Sequence, residues 1–238
     1  PRFPCTRLFR SVGIRLEEKT VTRRRGLSRR HGATLFMTLL AGLDLLLHRY
    51  GGDEDIRIGV PVAGRNRVET EGLVGFFVNT LVLRADLTGS MTVGDLINQV
   101  RDRMLEAQSH QDLPFERLVA ALQPVRDQSI SPLFHVAFNY NRNAQDNSTS
   151  QGRNTFTGLS VSRVGTGGTD TRFDLALSVA ENTSTLDRDF HYAGDIFDRS
   201  TIERLCGHYV EVLEQLTSEE GEQQTLAAVS LSSDVPVH

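Results

Sequence analysis

The 238-residue sequence predicts an α/β protein in which several helices pack on a mixed sheet. Three observations carry this. Segments with apolar residues at alternate positions interleave with segments whose apolar residues recur every three to four. The two kinds follow no regular strand-helix-strand repeat, and 39% hydrophobic content over this length suffices for a sizeable core. No internal repeat is evident.

Residues 6–18 contain LFRSVGIRL, an alternating stretch that suits an edge strand. From about 22 to 49 the pattern is helical, with Leu35, Leu39, Leu43, Leu46 and Leu47 on one stripe and Gly32 as the break between two pieces. A strand at 56–62 follows YGGDED, whose Asp53, Glu54 and Asp55 lack the further ligands of a calcium loop. GFFVNTLVLRADL at 75–87 reads as a strand with a buried run at its start. A helix over 93–108 has Thr92 as its N-cap and Val93, Leu96, Ile97, Val100 and Met104 as its apolar stripe. Another starts after HQDLP, with Pro114 in its first turn, where a missing N–H costs nothing.

PLFHVAFNYN alternates: Phe134, Val136, Phe138 and Tyr140 point one way, and Leu133, His135, Ala137 and Asn139 the other. Residues 141–172 turn to Asn, Ser, Thr and Gly, a loop or crossover with a short strand at 159–164, and its glycines lack nucleotide-binding spacing. Strands at 173–181 and 189–197 form an antiparallel pair. A closing helix opens on a Ser200–Glu203 capping box and lines up Ile202, Leu205, Cys206, Tyr209, Val212, Leu213 and Leu216, with Cys206 buried. The polar residues after it read as a linker.

The net charge of -4 gives no reason to expect nucleic acid as a partner. The arginines Arg23, Arg24, Arg25, Arg29 and Arg30 gather on what reads as a solvated helix face. Two cysteines distant in sequence imply neither a disulfide framework nor a metal site, and a reduced, cytoplasmic compartment is expected. The apolar run at 33–47 contains Asp44 and falls short of the roughly 20 residues of a membrane span. The start, PRFPCTRLFR, has no signal-peptide core and no initiator methionine, so the chain is expected to be a piece of something longer.

Three segments taken together go further. GLVGFFVNTLVLR at 72–84, HQDLPFERLV at 110–119 and RDQSISPLFHVAFNYN at 126–141 resemble, in order and spacing, the last three core motifs of condensation domains from nonribosomal peptide synthetases. HGATLFMTLLAGLDLLLHRYGGDEDIRIGVPVAGR at 31–65 resembles the segment before them, and RFDLALSV with GDIFDRSTIERLCGHYVEVLEQL the usual ending. LAAVSLSSD is similar to the tether into an adenylation domain. The resemblance implies one lobe of a two-lobed, chloramphenicol acetyltransferase-like fold with a largely antiparallel mixed sheet. It divides the chain into an inter-lobe linker and edge strand (1–20), a C-terminal lobe (21–220) and a linker towards an adenylation domain (221–238).

The reaction implied is peptide-bond formation: an amine on an acceptor carrier protein attacks the thioester on a donor carrier protein. Both substrates ride on phosphopantetheine, and no cofactor or metal is bound directly. The partners implied are the N-terminal lobe, two carrier proteins and the adenylation domain, with no nucleic acid and no membrane. The family's HHxxxDG signature is absent, since no two of the seven histidines are adjacent, so no catalytic residue is assigned and the chain is expected to be inactive alone. Gly75, Phe76, Phe77, Asn79, His135 and Asn139 are candidates for the tunnel wall. For Asn79 the alternatives are orienting a thioester and capping a strand end; for His135 they are lining the tunnel and sitting in the core. Arg65 is a candidate for pairing with the other lobe, and Asp112, Arg126 and Asp127 for loop-to-helix caps and ion pairs. A second reading is a non-catalytic docking module with Arg24 and Arg25 as a landing site for an acidic carrier protein. An epimerisation or dual-function relative is a third.

Overall fold

In a computed structural model, which describes residues 9–16, 18–65, 68–123, 133–142, 173–181, 186–218 and 221–232, the chain alternates strands and helices. In order these are β1 (Phe9–Leu16), α1 (Glu18–Arg30), α2 (Leu35–Gly51), β2 (Asp55–Val62), α3 (Val68–Glu71), β3 (Asn79–Asp86), α4 (Val93–Ser109), α5 (Phe115–Leu122), β4 (Val136–Arg142), β5 (Leu175–Glu181), β6 (Leu186–Ala193) and α6 (Arg199–Leu216). Short 3-10 turns follow at Gly221–Gln223 and Leu226–Ala228.

The strands form one mixed sheet of six, in the order β1-β6-β5-β4-β2-β3. β1 with β6, β5 with β6, and β2 with β3 pair antiparallel, whereas β4 runs parallel to both β5 and β2. β1 is the edge strand its sequence predicts.

The helix boundaries follow from local chemistry. Gly32, at φ +59°, separates α1 from α2 as expected. Thr34 caps α2 by accepting from the Met37 amide at 3.3 Å. Thr92 caps α4 by accepting from the Asp95 amide, and the Asp95 carboxylate in turn accepts from the Thr92 amide at 3.2 Å. Two expectations are corrected. Pro114 is the N-cap of α5 rather than part of its first turn. The capping box expected at Ser200 is absent because α6 already begins at Arg199 behind Asp198; Glu203 instead accepts from Arg199 at 2.7 Å.

One face of the sheet carries the main core. Leu39, Leu43 and Leu46 of α2, Leu96 and Val100 of α4, and Leu205, Tyr209 and Leu213 of α6 close over Ile58, Leu83, Phe138, Leu177 and Phe190. Phe36 packs on Phe138 with ring centroids 5.2 Å apart, and the buried Tyr209 hydroxyl donates to the Leu39 carbonyl at 2.9 Å. Cys206 is buried as expected, and burial pushes its thiol up to about 12. The 33–47 run is a core helix, and among the described residues no single helix is long and apolar enough to cross a membrane.

The polar tail is not loose. Leu226 and Val229 are fully buried, and the Leu226 amide donates to Met91 O at 2.8 Å. His208 of α6 accepts from Tyr50 Oη on Nδ1 at 2.6 Å, and because a carbonyl only accepts, its Nε2 donates to Ser232 O at 2.7 Å. Residues 221–232 are thus strapped to α4 and α6, which their mean polarity hid.

Two strand expectations also shift. β3 begins at Asn79, and residues 72–78 form an exposed loop in which Phe76 is 89% exposed, so there is no buried run at its start. β6 occupies 186–193, and 194–197 turn away, with the Ile196 and Phe197 amides both donating to Ala193 O. The short strand expected at 159–164 lies outside the described residues.

Candidate functional site

The face of the sheet turned away from the helices has a different composition. Strand alternation sends Leu175, Leu177 and Val179 of β5 towards the helices and Ala176, Ser178 and Ala180 to the other side. By the same rule β6 presents Asp189 and His191 there, β4 Ala137 and Asn139, β2 Pro61, and β1 Ser11 and Gly13. Asn139 thus lies on this face, beside Ser178 in the β4–β5 register, and is half-buried.

An apolar island closes one end of this face. Phe134, Ala137 and Ala176 are buried there, with Val82, Phe115, Leu133 and Phe173 around them. Phe134 was expected beside Phe138; it precedes β4 instead and folds over Gly59 on the opposite face. A Cβ on Gly59 would stand 2.1 Å from the Phe134 ring, so only glycine admits this packing. Phe134 packs tilted on Phe173 at 5.0 Å and edge-on to Phe115 at 5.7 Å.

The parallel register Val136↔Leu175 sets the preceding residues, His135 and Asp174, side by side. His135 Nδ1 lies 3.1 Å from Asp174 Oδ2, and the His135 carbonyl accepts from the Asp174 amide at 3.1 Å. The His135 side chain is 56% exposed, which excludes the satisfied core histidine considered from sequence. A carboxylate on Nδ1 orients an imidazole, which can then bind or relay a proton through Nε2.

Asn79 clamps the turn between α4 and α5. Its Nδ2 donates to Gln111 O at 2.9 Å and Leu113 O at 2.8 Å, while Oδ1 accepts from the Phe115 amide at 3.1 Å. Both donors of the amide are taken, so the thioester-orienting alternative gives way to the structural one. The Phe115 bond also replaces the cap that Pro114 cannot make with a side chain. Asp112 is exposed on this turn.

The neighbouring loop is held by Arg65 and Phe77. The Arg65 guanidinium carbon sits 4.4 Å from the Phe77 ring centroid, and Nη1 donates to Thr70 O. Gly64, at φ +63°, lies so close to Phe77 O that a Cβ would come within 1.9 Å of it. Gly75 approaches the same side chain, since a Cβ there would stand 3.0 Å from the Phe77 ring. Arg65, expected to await a carboxylate of another lobe, is therefore engaged within its own loop. Phe76 projects from the same loop together with exposed Leu73, Val74 and Val78.

The arginine cluster divides. Arg29 and Arg30 are exposed, but Arg25 is half-buried and donates to Glu181 Oε1 at 2.6 Å. Arg24 is fully buried, which removes it from any docking surface: helical periodicity turns Arg24, Leu27 and Ser28 inward together. Arg126 and Asp127 lie outside the described residues. An open cleft of about 260 Å3 between β3 and α4, lined in part by Arg84, Arg103, Glu106 and His110, contains none of the predicted tunnel residues.

A model of the condensation domain family matches residues 7–235. The chain belongs to the condensation domain family. Curated relatives are nonribosomal peptide synthetases. This condensation-domain chain is similar to a linear gramicidin synthase of Brevibacillus parabrevis, at 46% identity over 211 residues, covering 87% of the chain and 3% of that protein. It is also similar to malpinin synthetase of Mortierella alpina, at 42% identity over 208 residues, covering 87% of the chain and 3% of that protein.

Among solved structures, the complex of the X-domain and OxyB from teicoplanin biosynthesis superposes with TM-score 0.85 at 26% identity, over 99% of this chain and 50% of that one. Holo-AB3403, a four-domain nonribosomal peptide synthetase bound to AMP and glycine, gives TM-score 0.79 at 25% identity, over 95% of this chain and 18% of that one. The sheet and its helices have the chloramphenicol acetyltransferase-like architecture of condensation domains. The condensation-domain chain spans about half of several solved chains and a few per cent of the synthetases.

Two side-chain partnerships escaped the sequence. Asp174 carries no local signal of its partnership with His135, which is 39 positions away. Glu181, which binds Arg25 and accepts from the Tyr140 hydroxyl, reads as an ordinary strand end.

Proposed function

We propose that this chain is the C-terminal lobe of a condensation domain and supplies one wall of the tunnel in which a carrier-bound amine attacks a carrier-bound acyl thioester. The observation that carries the reading is the pairing of a family match along 7–235 with coverage of only half of solved condensation-domain chains. The small, polar sheet face supports it. Ser178, Asn139 and His191 can hydrogen-bond to amide-rich pantetheine arms or to the facing lobe, and Ala137 and Ala176 leave room beside them. In this reading the wall residues orient and shield. General-base help belongs to the other lobe, because both effects require the reacting groups to be held together.

The partners are then an N-terminal lobe, donor and acceptor carrier proteins with phosphopantetheine-borne substrates, and an adenylation domain reached through the strapped tail, all in the cytoplasm. An amide-formation assay with two loaded carrier proteins tests this. Product is expected only when an N-terminal lobe is supplied, and turnover by the chain alone would overturn it. The docking alternative, which needed Arg24 at the surface, has lost that residue to the core.

A further inference from the structure

Nothing in peptide-bond formation uses Arg24 of α1 or Arg188 of β6, and their setting is unusual. Arg24 is 0% and Arg188 3% exposed. None of the guanidinium nitrogens of either residue has a hydrogen-bond partner among the described residues. Buried charges are ordinarily paired, because taking an ion out of water without an acceptor is among the costliest events in a fold.

The elements explain how the two come together. α1 turns Arg24 inward beside Leu27, and Arg188 shares the helix-facing side of β6 with Leu186, Phe190 and Tyr192. The Arg188 guanidinium lies 5.3 Å over the Tyr209 ring of α6, which offers a π face but accepts no hydrogen bond from it. Arg25, next to Arg24, binds Glu181 of β5 at 2.6 Å, and the register Val179↔Arg188 sets Arg188 diagonally across from Glu181 on the same helix-facing side, which brings α1 to this part of the sheet. Burial, and then the charge of Arg188, push Arg24 down to about 10. Glu181, a carboxylate on the same side of this strand pair, is already engaged: it binds Arg25 at 2.6 Å and the Tyr140 hydroxyl. Glu214 acts on both arginines only from the exposed side of α6.

We propose that the interface of α1, β6 and α6 binds a small inorganic oxyanion, of the phosphate or sulfate class, between the guanidiniums of Arg24 and Arg188. The chemistry favours an oxyanion over a halide. Each guanidinium is a planar fork of five N–H donors, and a tetrahedral oxyanion offers several acceptors to two forks at once. Full burial excludes a phosphodiester carried on a long arm, so this is not a phosphopantetheine subsite. The anion fastens α1 to the sheet, a structural role independent of the condensation reading.

Thermal unfolding of the purified chain, titrated with inorganic phosphate at constant ionic strength, tests this. A saturating rise of about 3 to 6 °C is expected at tenfold the dissociation constant. Arg24→Met and Arg188→Met should lose the saturating part and keep only the shallow rise that phosphate gives any protein by exclusion. Phosphorus NMR of inorganic phosphate should broaden with the wild-type chain, and free phosphopantetheine should not compete. The same phosphate dependence in wild type and both variants would overturn the proposal. So would an equally saturating effect of chloride, competition by phosphopantetheine, or the absence of a saturating effect in wild type. Should the variants fail to fold, the NMR titration of the wild-type chain decides, and no one-to-one binding would refute the site.

Discussion

The two faces of the sheet are built on opposite plans. Towards the helices, β2 to β6 present Ile58, Leu83, Phe138, Leu177 and Phe190, and helix side chains interdigitate with them. Away from the helices the same strands present Pro61, Asn139, Ser178 and His191, with apolar packing confined to the island around Phe134. Stability belongs to the first face. The second is poor in large side chains, which suits the proposed cover by a partner lobe or a substrate arm that must find polar groups and room.

The sharpest test is Phe138→Ala, which empties a fully buried site on the helix face and is expected to cost about 3 to 5 kcal/mol in urea denaturation. A loss below about 1 kcal/mol would break the contrast between faces. Asn79→Ala comes next. It removes three bonds to the 111–115 turn and should cost about 2 to 3 kcal/mol, with faster hydrogen exchange at the Phe115 amide. Unchanged stability and exchange would return Asn79 to the substrate-contacting residues.

Asp44 probes the helix face by pH. It is fully buried on α2, and burial raises its carboxyl well above the ordinary 3.8. The unfolded chain therefore releases this proton first, and the carboxyl costs stability progressively as pH rises through the window from about 3.8 to the raised value. Asp44→Asn should remove that loss and add about 1 to 2 kcal/mol near neutrality. A variant with the same pH profile as wild type would show that Asp44 is not the group responsible. The smallest effect is expected on the open face. His135→Ala should change stability by less than about 1 kcal/mol, because its side chain is 56% exposed and solvent screens its pairing with Asp174. A reconstituted two-lobe enzyme should feel the same substitution more strongly in turnover than in stability.

Periodicity located most elements because it is local: the Gly32 break, the Thr92 cap and the edge position of β1 were all legible. The failures have physical causes. Phe76, Phe77 and Val78 have strand propensity, but β2 ends at Val62, whose partner is Asn79, so pairing rather than propensity decides where β3 starts. Phe134 obeys the alternation of β4 on paper but stands before the strand, free to rotate onto Gly59. Arg24 and Arg25 stand about 100° apart on α1, and only the orientation of that helix decides that Arg24 is the buried one.

By itself the sequence determined the family, the α/β class and the order of elements, since ordered motifs and apolar periods are properties of neighbouring residues. The tertiary structure alone decided what the polar side chains do. Asn79 spends its amide on a turn more than 30 residues away, Asp174 orients His135 across two parallel strands, and Arg24 and Arg188 lie buried without a hydrogen-bond partner among the described residues. Such partners are distant in sequence, and burial sums over the whole fold, so no local pattern carries them.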